Sequence, residues 1–233
     1  MDSPIRAAAL IPCYNNARTI SDVLERTLAV IPDVLVVDDG CTDGSSEAIE
    51  KATESWGTRI RSLRHSTNLG KGRALRDGLG QLAAAGFSHA IALDADGQHY
   101  PEDIPVLLEA ARRFPDAIIV GERNLREARA PLASRFGLWC SNSALRLFRG
   151  VKIGDSQSGF RAYPLSAIVP MDLRADRYDF EMEVLFAAAR AGITIQTVPV
   201  RVTYEPPGGR VSSFRPIRDF LRVASCVARL LRR

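Results

Sequence analysis

At 233 residues, 46% hydrophobic and 25% charged, the chain has room for one large domain or a domain with an extension, and enough apolar material for a substantial core, which excludes a disordered protein. The net charge of +4 is a mild bias carried mostly by arginine: lysine occurs only at 51, 71 and 152, whereas Arg215, Arg218, Arg222, Arg229, Arg232 and Arg233 crowd the end. Cys13, Cys41, Cys140 and Cys226 lack CxxC spacing, the start has no signal-peptide architecture, and no apolar run reaches the roughly 20 residues that cross a bilayer, so the expectation is a cytoplasmic protein whose membrane contact is peripheral, on the inner face.

In chain order, Ala7 to Ile11 and Val34 to Val37 are short apolar runs ended by Pro12 and by Asp38-Asp39-Gly40, and both predict buried strands. Thr19 to Ile31 between them carries apolar residues at helical spacing. The alternation continues with a helix over Ser45 to Trp56, a strand over Ile60 to Leu63, a helix over Arg73 to Ala85, a strand over Ala90 to Leu93, a helix over Ile104 to Phe114 and a strand over Ala117 to Val120. Such a beat predicts an α/β, doubly wound, mainly parallel sheet with helices on both faces. It breaks at the charged, turn-rich stretch Glu122 to Pro131, followed by a long helix from Leu132 to about Phe148, strands over Ser158 to Tyr163 and Thr194 to Tyr204, and a helix from about Phe180 to Ala191. Pro206-Pro207-Gly208-Gly209 is the clearest loop, so residues 1–205 form the expected domain, and 206–233 a loop plus a basic amphipathic helix suited to an anionic bilayer interface or to packing on the domain.

In an open parallel sheet, ligands bind outside the carboxyl ends of the strands. The segments there are polar: Pro12-Cys13-Tyr14-Asn15-Asn16, Asp38-Asp39-Gly40 and Asp94-Ala95-Asp96-Gly97-Gln98-His99. Asp94 and Asp96, if extended, project their carboxylates to one side, where they suit Mg²⁺ or Mn²⁺, ions that complete their shell with water and substrate phosphates. Asp38 and Asp39 offer lone pairs to a nucleobase or ribose, their attachment to the strand arguing against a capping role, whereas Asp43 suits the cap of the helix at Ser45. Asn68-Leu69-Gly70-Lys71-Gly72 places a cation beside phosphates at a helix start without being a P-loop. Gly78-Leu79-Gly80-Gln81-Leu82-Ala83 matches a relaxed dinucleotide fingerprint but falls inside a helix, and is read as accidental.

Taken together with Gly121-Glu122-Arg123 and Ser158-Gly159-Phe160-Arg161, these segments resemble glycosyltransferase family 2, specifically its dolichyl-phosphate mannose synthase-like branch of polyprenyl-phosphate sugar transferases. The resemblance implies a GT-A fold and an inverting transfer from a nucleotide diphosphate sugar to a polyprenyl phosphate or other lipid-linked acceptor. It places Pro12, Tyr14, Asn16, Val37 and Asp39 at the nucleoside, Asp94 and Ala95 along the donor, Asp96 and Gln98 on the metal, and Arg123 and Arg135 at the acceptor phosphate. Asn16 stands where the family usually has Glu, which alters the base it can pair, and Cys41 where Ser is usual.

A lipid phosphate is already ionised near neutrality and needs no base, whereas a hydroxyl acceptor does; Asp155 is then the leading candidate, with Glu181 and Glu183 behind it. Arg210, beside the Gly208-Gly209 hinge, suits a lid over the diphosphate. Two readings stand beside this one: transfer to a hydroxyl of a small molecule or glycan with Asp155 as base, and a non-catalytic nucleotide-sugar or anionic-lipid binder. A nucleotidyltransferase would need a glycine-rich loop after the first strand, a processive synthase a Gln-x-x-Arg-Trp motif, and a nucleic-acid binder a basic, aromatic platform, and none is present.

Overall fold

The computed structural model describes residues 5–123 and 132–203. Within them, strands β1 (Ala7–Cys13), β2 (Val34–Asp38), β3 (Ile60–Arg64), β4 (His89–Ala92), β5 (Ile118–Arg123), β6 (Arg161–Pro164) and β7 (Ile195–Val200) form one sheet, in the order β3-β2-β1-β4-β6-β5-β7. All neighbours pair in parallel except β6, which is antiparallel to both β4 and β5.

Among the described residues seven α-helices connect the strands: α1 (Ile20–Leu28), α2 (Ser45–Trp56), α3 (Lys71–Ala84), α4 (Ile104–Arg113), α5 (Leu132–Arg149), α6 (Leu165–Ile168) and α7 (Phe180–Arg190). Alternate residues of each buried strand feed opposite cores. Ala8, Leu10, Leu35 and Val37 meet α3, α6 and α7, while Ala9, Ile11, Val34 and Val36 meet α1, α2 and α4. This two-sided burial explains why the strands read as unbroken apolar runs.

Three departures from the expected elements have local causes. Strand β5 runs on through Gly121-Glu122-Arg123 because β7 pairs with it as far as Arg123 opposite Val200. The strand expected from Ser158 starts only at Arg161, since Phe160 N–H folds back to Ser158 Oγ (3.3 Å) while Phe160 O takes the Gly121 N–H (2.8 Å). Helix α6, four residues long, is too short to show a period. Among the described residues no helix is long and apolar enough to cross a membrane. The expected 206–233 extension, Arg210 included, lies outside the described residues, as does the side chain of Arg135 in the first turn of α5.

Candidate active site

Parallel pairing brings the carboxyl ends of β1, β2 and β4 to one edge, and two successive antiparallel pairings through β6 bring Arg123 of β5 to the same edge. Pro12 sits there opposite Val37, beyond the last β1–β4 pair at Leu10 and Ala92, where its missing N–H leaves no gap in that ladder. Tyr14 and Asn16 follow, half-buried; Asn16 donates its N–H to Ser45 Oγ (2.8 Å), and its carbonyl accepts from Thr19 and Ile20 at the start of α1.

The adjacent acids after β2 face different partners. Asp38 accepts from Cys41 N–H (2.9 Å) and Ser46 Oγ (2.6 Å), so it secures the turn into α2, a structural part that its place on the strand argued against. Although burial pushes the other way, these donors and Arg64 hold it below the ordinary carboxylate range. Asp43 accepts from Ser45 N–H (3.1 Å) and Ala17 N–H (3.1 Å), so it serves the first N–H of α2 from one position before the N-cap, which is Gly44 rather than Asp43. Asp39, 2% exposed, accepts from Leu69 N–H (2.9 Å), Gly70 N–H (2.8 Å) and His65 Nδ1 (2.7 Å). It therefore fixes the loop that delivers Lys71. Gly70, with φ +103°, lies against the Asp176 carbonyl, where a side chain would collide.

Lys71, the first residue of α3, places Nζ 2.6 Å from Asp94 Oδ1 and 2.8 Å from Glu181 Oε1. Burial alone would lower its pKa, but the two carboxylates outweigh it and hold the ammonium above the lysine range. Asp94 is likewise held low, against its own burial, by the Lys71 charge. Gly159 lets this pair come close: a Cβ there would stand 2.8 Å from Lys71 Nζ and 2.9 Å from Asp94 Oδ2.

The Asp94 to Asp96 segment is a turn, not the extended run expected, because β4 ends at Ala92. The acids still interact: burial first, then the Asp94 charge, pushes Asp96 up to about 7. Asp96 accepts from Gln98 N–H (3.0 Å), and Thr19 Oγ1 donates to Ala95 O (2.6 Å). His99 packs on Phe160 with centroids 5.2 Å apart and is driven down to about 4, chiefly by burial; its Nε2 has no hydrogen-bond partner among the described residues.

Among the described residues no three His, Cys, Asp or Glu side chains form a ready-made metal cage. Two half-buried carboxylates close enough for one to raise the other, with a single ammonium on Asp94, nonetheless fit an ion that takes most of its shell from phosphates and water. A divalent cation would relieve the repulsion that lifts Asp96.

At the other end of the edge, Arg123 and Asp155 engage each other: Nε to Oδ2 at 2.5 Å and Nη2 to Oδ1 at 3.0 Å. Asp155, fully buried, also accepts from Gln157 N–H (3.3 Å). Asn142 of α5 clamps its loop, donating to Gly154 O (2.7 Å) and accepting from Ser156 N–H (3.1 Å). The loop's far end is tied to α7 by Arg161, 0% exposed, which donates to the carbonyls of Ser158, Ser156 and Glu181. Arg123 and Asp155 are thus brought together as partners, so the base expected at Asp155 has both oxygens on a guanidinium.

Residues 8–168 match the model of the family described as glycosyl transferase family 2. The chain belongs to glycosyltransferase family 2. The undecaprenyl-phosphate mannosyltransferase of Micrococcus luteus is 31% identical over 205 residues, 84% of this chain and 83% of that protein. The UDP-N-acetylglucosamine–dolichyl-phosphate N-acetylglucosaminyltransferase of Methanococcus voltae is 29% identical over 212 residues, 84% of each chain. Glucosyl-3-phosphoglycerate synthase from Mycobacterium tuberculosis, solved with Mg²⁺ and uridine diphosphate, superposes with a TM-score of 0.67 over 97% of this chain and 79% of its own, at 19% identity, a likeness of GT-A fold.

For this family 2 glycosyltransferase, sequence reasoning missed His65, whose Nδ1 holds Asp39 while its Nε2 lies 3.2 Å from Asp77 Oδ2, and Asn142. Neither stands in a motif. Glu181, weighed only as a base, proves to be the second partner of Lys71; no sequence signal joins residues so far apart.

Proposed function

We propose that this glycosyltransferase moves a sugar from a nucleotide diphosphate donor to a polyprenyl phosphate by a single, inverting displacement. The observation that carries this reading is the Arg123–Asp155 pair: the acid best placed to deprotonate a hydroxyl already has both oxygens on a guanidinium. A phosphate acceptor, whose second ionisation lies near pH 6, brings its own anionic nucleophile. Arg123 supplies the fork for that phosphate and Asp155 aims it, with Arg135 as a second cation.

Pro12, Tyr14, Asn16, Val37 and Asp39 line the nucleoside end, Asp39 acting largely through the Leu69–Gly70 loop, and Lys71, Asp94 and Ala95 the sugar-diphosphate. Asp96 and Gln98 would hold Mg²⁺ or Mn²⁺, which when bound would supply Lewis-acid neutralisation of the departing diphosphate. Thr203, the last described residue, donates its N–H to Gln98 O (2.9 Å), and Arg210, seven positions further along the sequence, is proposed as a lid over the diphosphate. The lipid acceptor implies peripheral work at a membrane surface.

The test offers UDP- and GDP-sugars with Mn²⁺ to the protein, and compares polyprenyl phosphate with the free polyprenol in detergent. Label in the organic phase with the phosphate alone, abolished by EDTA, is expected. Transfer only to the polyprenol or to a sugar hydroxyl would move the reading to the hydroxyl acceptor with Asp155 as base. Nucleotide binding without turnover on any acceptor would leave a binding protein.

A further inference from the structure

Lys71, half-buried, lies between carboxylates from two elements, Asp94 after β4 and Glu181 in the first turn of α7. Glu181 is 4% exposed, and no hydrogen-bond donor other than the Lys71 ammonium meets either of its oxygens among the described residues. A buried carboxylate with a single cationic contact is costly, and replacing it by an amide or an apolar residue would spare that cost if packing were its only task. The ammonium meanwhile occupies Asp94, one residue removed from Asp96, where a divalent ion fits.

We infer that Lys71 is a tethered cation standing in for the divalent ion at Asp94, and that Glu181 is the positioning residue that receives it when the ion binds. The inference rests on the reading of Asp94 and Asp96 as the metal edge. The charges fix the signs. With both Lys71 and Glu181 present, the ammonium shifts its whole charge onto Glu181 without leaving the crevice, and Asp94 is released. Without the Glu181 charge, Lys71 has only Asp94 to pair with and competes harder. Without Lys71, the competitor is gone. Glu181 thus acts through Lys71 and need touch neither ion nor sugar.

Mn²⁺ titrated alone into the full chain, followed by loss of the free-ion electron paramagnetic resonance signal, tests this without turnover. Lys71→Met is expected to tighten Mn²⁺ binding and Glu181→Gln to loosen it, each by about tenfold, the lower end of what groups around a metal site do. Glu181→Asp recovers part of the loss, and Glu181→Gln adds little in the Lys71→Met background. Lys71→Met that leaves Mn²⁺ affinity unchanged or weakens it, with an unaltered melting temperature, overturns the inference. If Lys71→Met does not fold, the near-isosteric Glu181→Gln decides alone: loosened binding at an unaltered melting temperature supports the exchange, and unaltered affinity refutes it. Wild type that binds no Mn²⁺ at all strikes earlier, at the metal edge itself.

Discussion

The proposed donor and acceptor ends of the crevice are held by different means. At the donor end, Asp38 and Asp39 are fixed largely by backbone N–H groups of the loops they face. At the acceptor end, Arg123 and Asp155 are fixed by each other, 32 positions apart, on a loop clamped by Asn142. An acid seated on backbone donors is part of the scaffold and cannot change partner without local unfolding. A guanidinium paired with a carboxylate can trade some of its hydrogen bonds for a phosphate at little rearrangement. The donor end is a mould, and the acceptor end an exchange of ions.

The largest effect that tests this division is Asp96→Asn, expected to lower turnover by about 10²–10³-fold, the range seen when a principal stabiliser of developing charge is removed. Initial rates with saturating donor and Mn²⁺ measure it; a loss below tenfold would detach Asp96 from the metal. Next comes the ion pair. Arg123→Ala strands a buried carboxylate and should cost about 3–5 kcal/mol in urea unfolding, whereas Asp39→Asn, which weakens bonds to backbone N–H groups, should cost about 1–3 kcal/mol. Asp155→Asn keeps the shape but not the charge, and should raise the KM for the acceptor more than it alters that for the donor. Equal changes in both would dissolve the distinction between the two ends.

pH sharpens it further, because the donor end holds two groups with opposed titrations. His99 is depressed from 6.5 to about 4, so the unfolded chain takes up its proton first and stability falls as pH drops through that window, by roughly 3 kcal/mol at the limit. Asp96 is raised from 3.8 to about 7, so its contribution is full in acid and is lost as pH rises over nearly the same span. The two largely offset each other. Asp96→Asn should therefore make the protein distinctly acid-sensitive between pH 6.5 and pH 4, and His99→Phe should leave it losing stability as pH rises toward 7, both read from thermal melts without divalent ions. A flat profile in both variants would refute the opposition.

The smallest effect concerns the scaffold under Lys71. A Cβ on Gly78 would run into Leu10 Cδ1, whereas one on Gly80 meets nothing within 4 Å. Gly80→Ala should stabilise α3 by about 0.5–1 kcal/mol and Gly78→Ala should destabilise it, as chemical denaturation will show.

Those glycines also show what the sequence could tell. Their motif was rightly read as accidental from its place inside a helix, and the same periodicity placed α2 at Ser45 to Trp56 to the residue. The site edge was legible too, because polar residues following apolar strands are a local signal. Partnership was not. Nothing near Lys71 names Glu181, nothing near Arg123 names Asp155, and the direction of β6 leaves no trace in four buried residues. Long charged side chains choose their partners in space, and a buried strand looks alike in either direction.

That direction of β6 has a consequence of its own. The chain leaves the sheet at the end of β5 and re-enters at the start of β6, and because β6 runs backwards both points lie on the crevice edge. The connection from β5 to β6, described from Leu132 onward, therefore begins and ends at one rim, and among the described residues no strand register depends on its length. Evolution, or a protein engineer grafting the corresponding stretch from a relative, can refit that part of the rim while the ends of β1, β2 and β4 stay where they are.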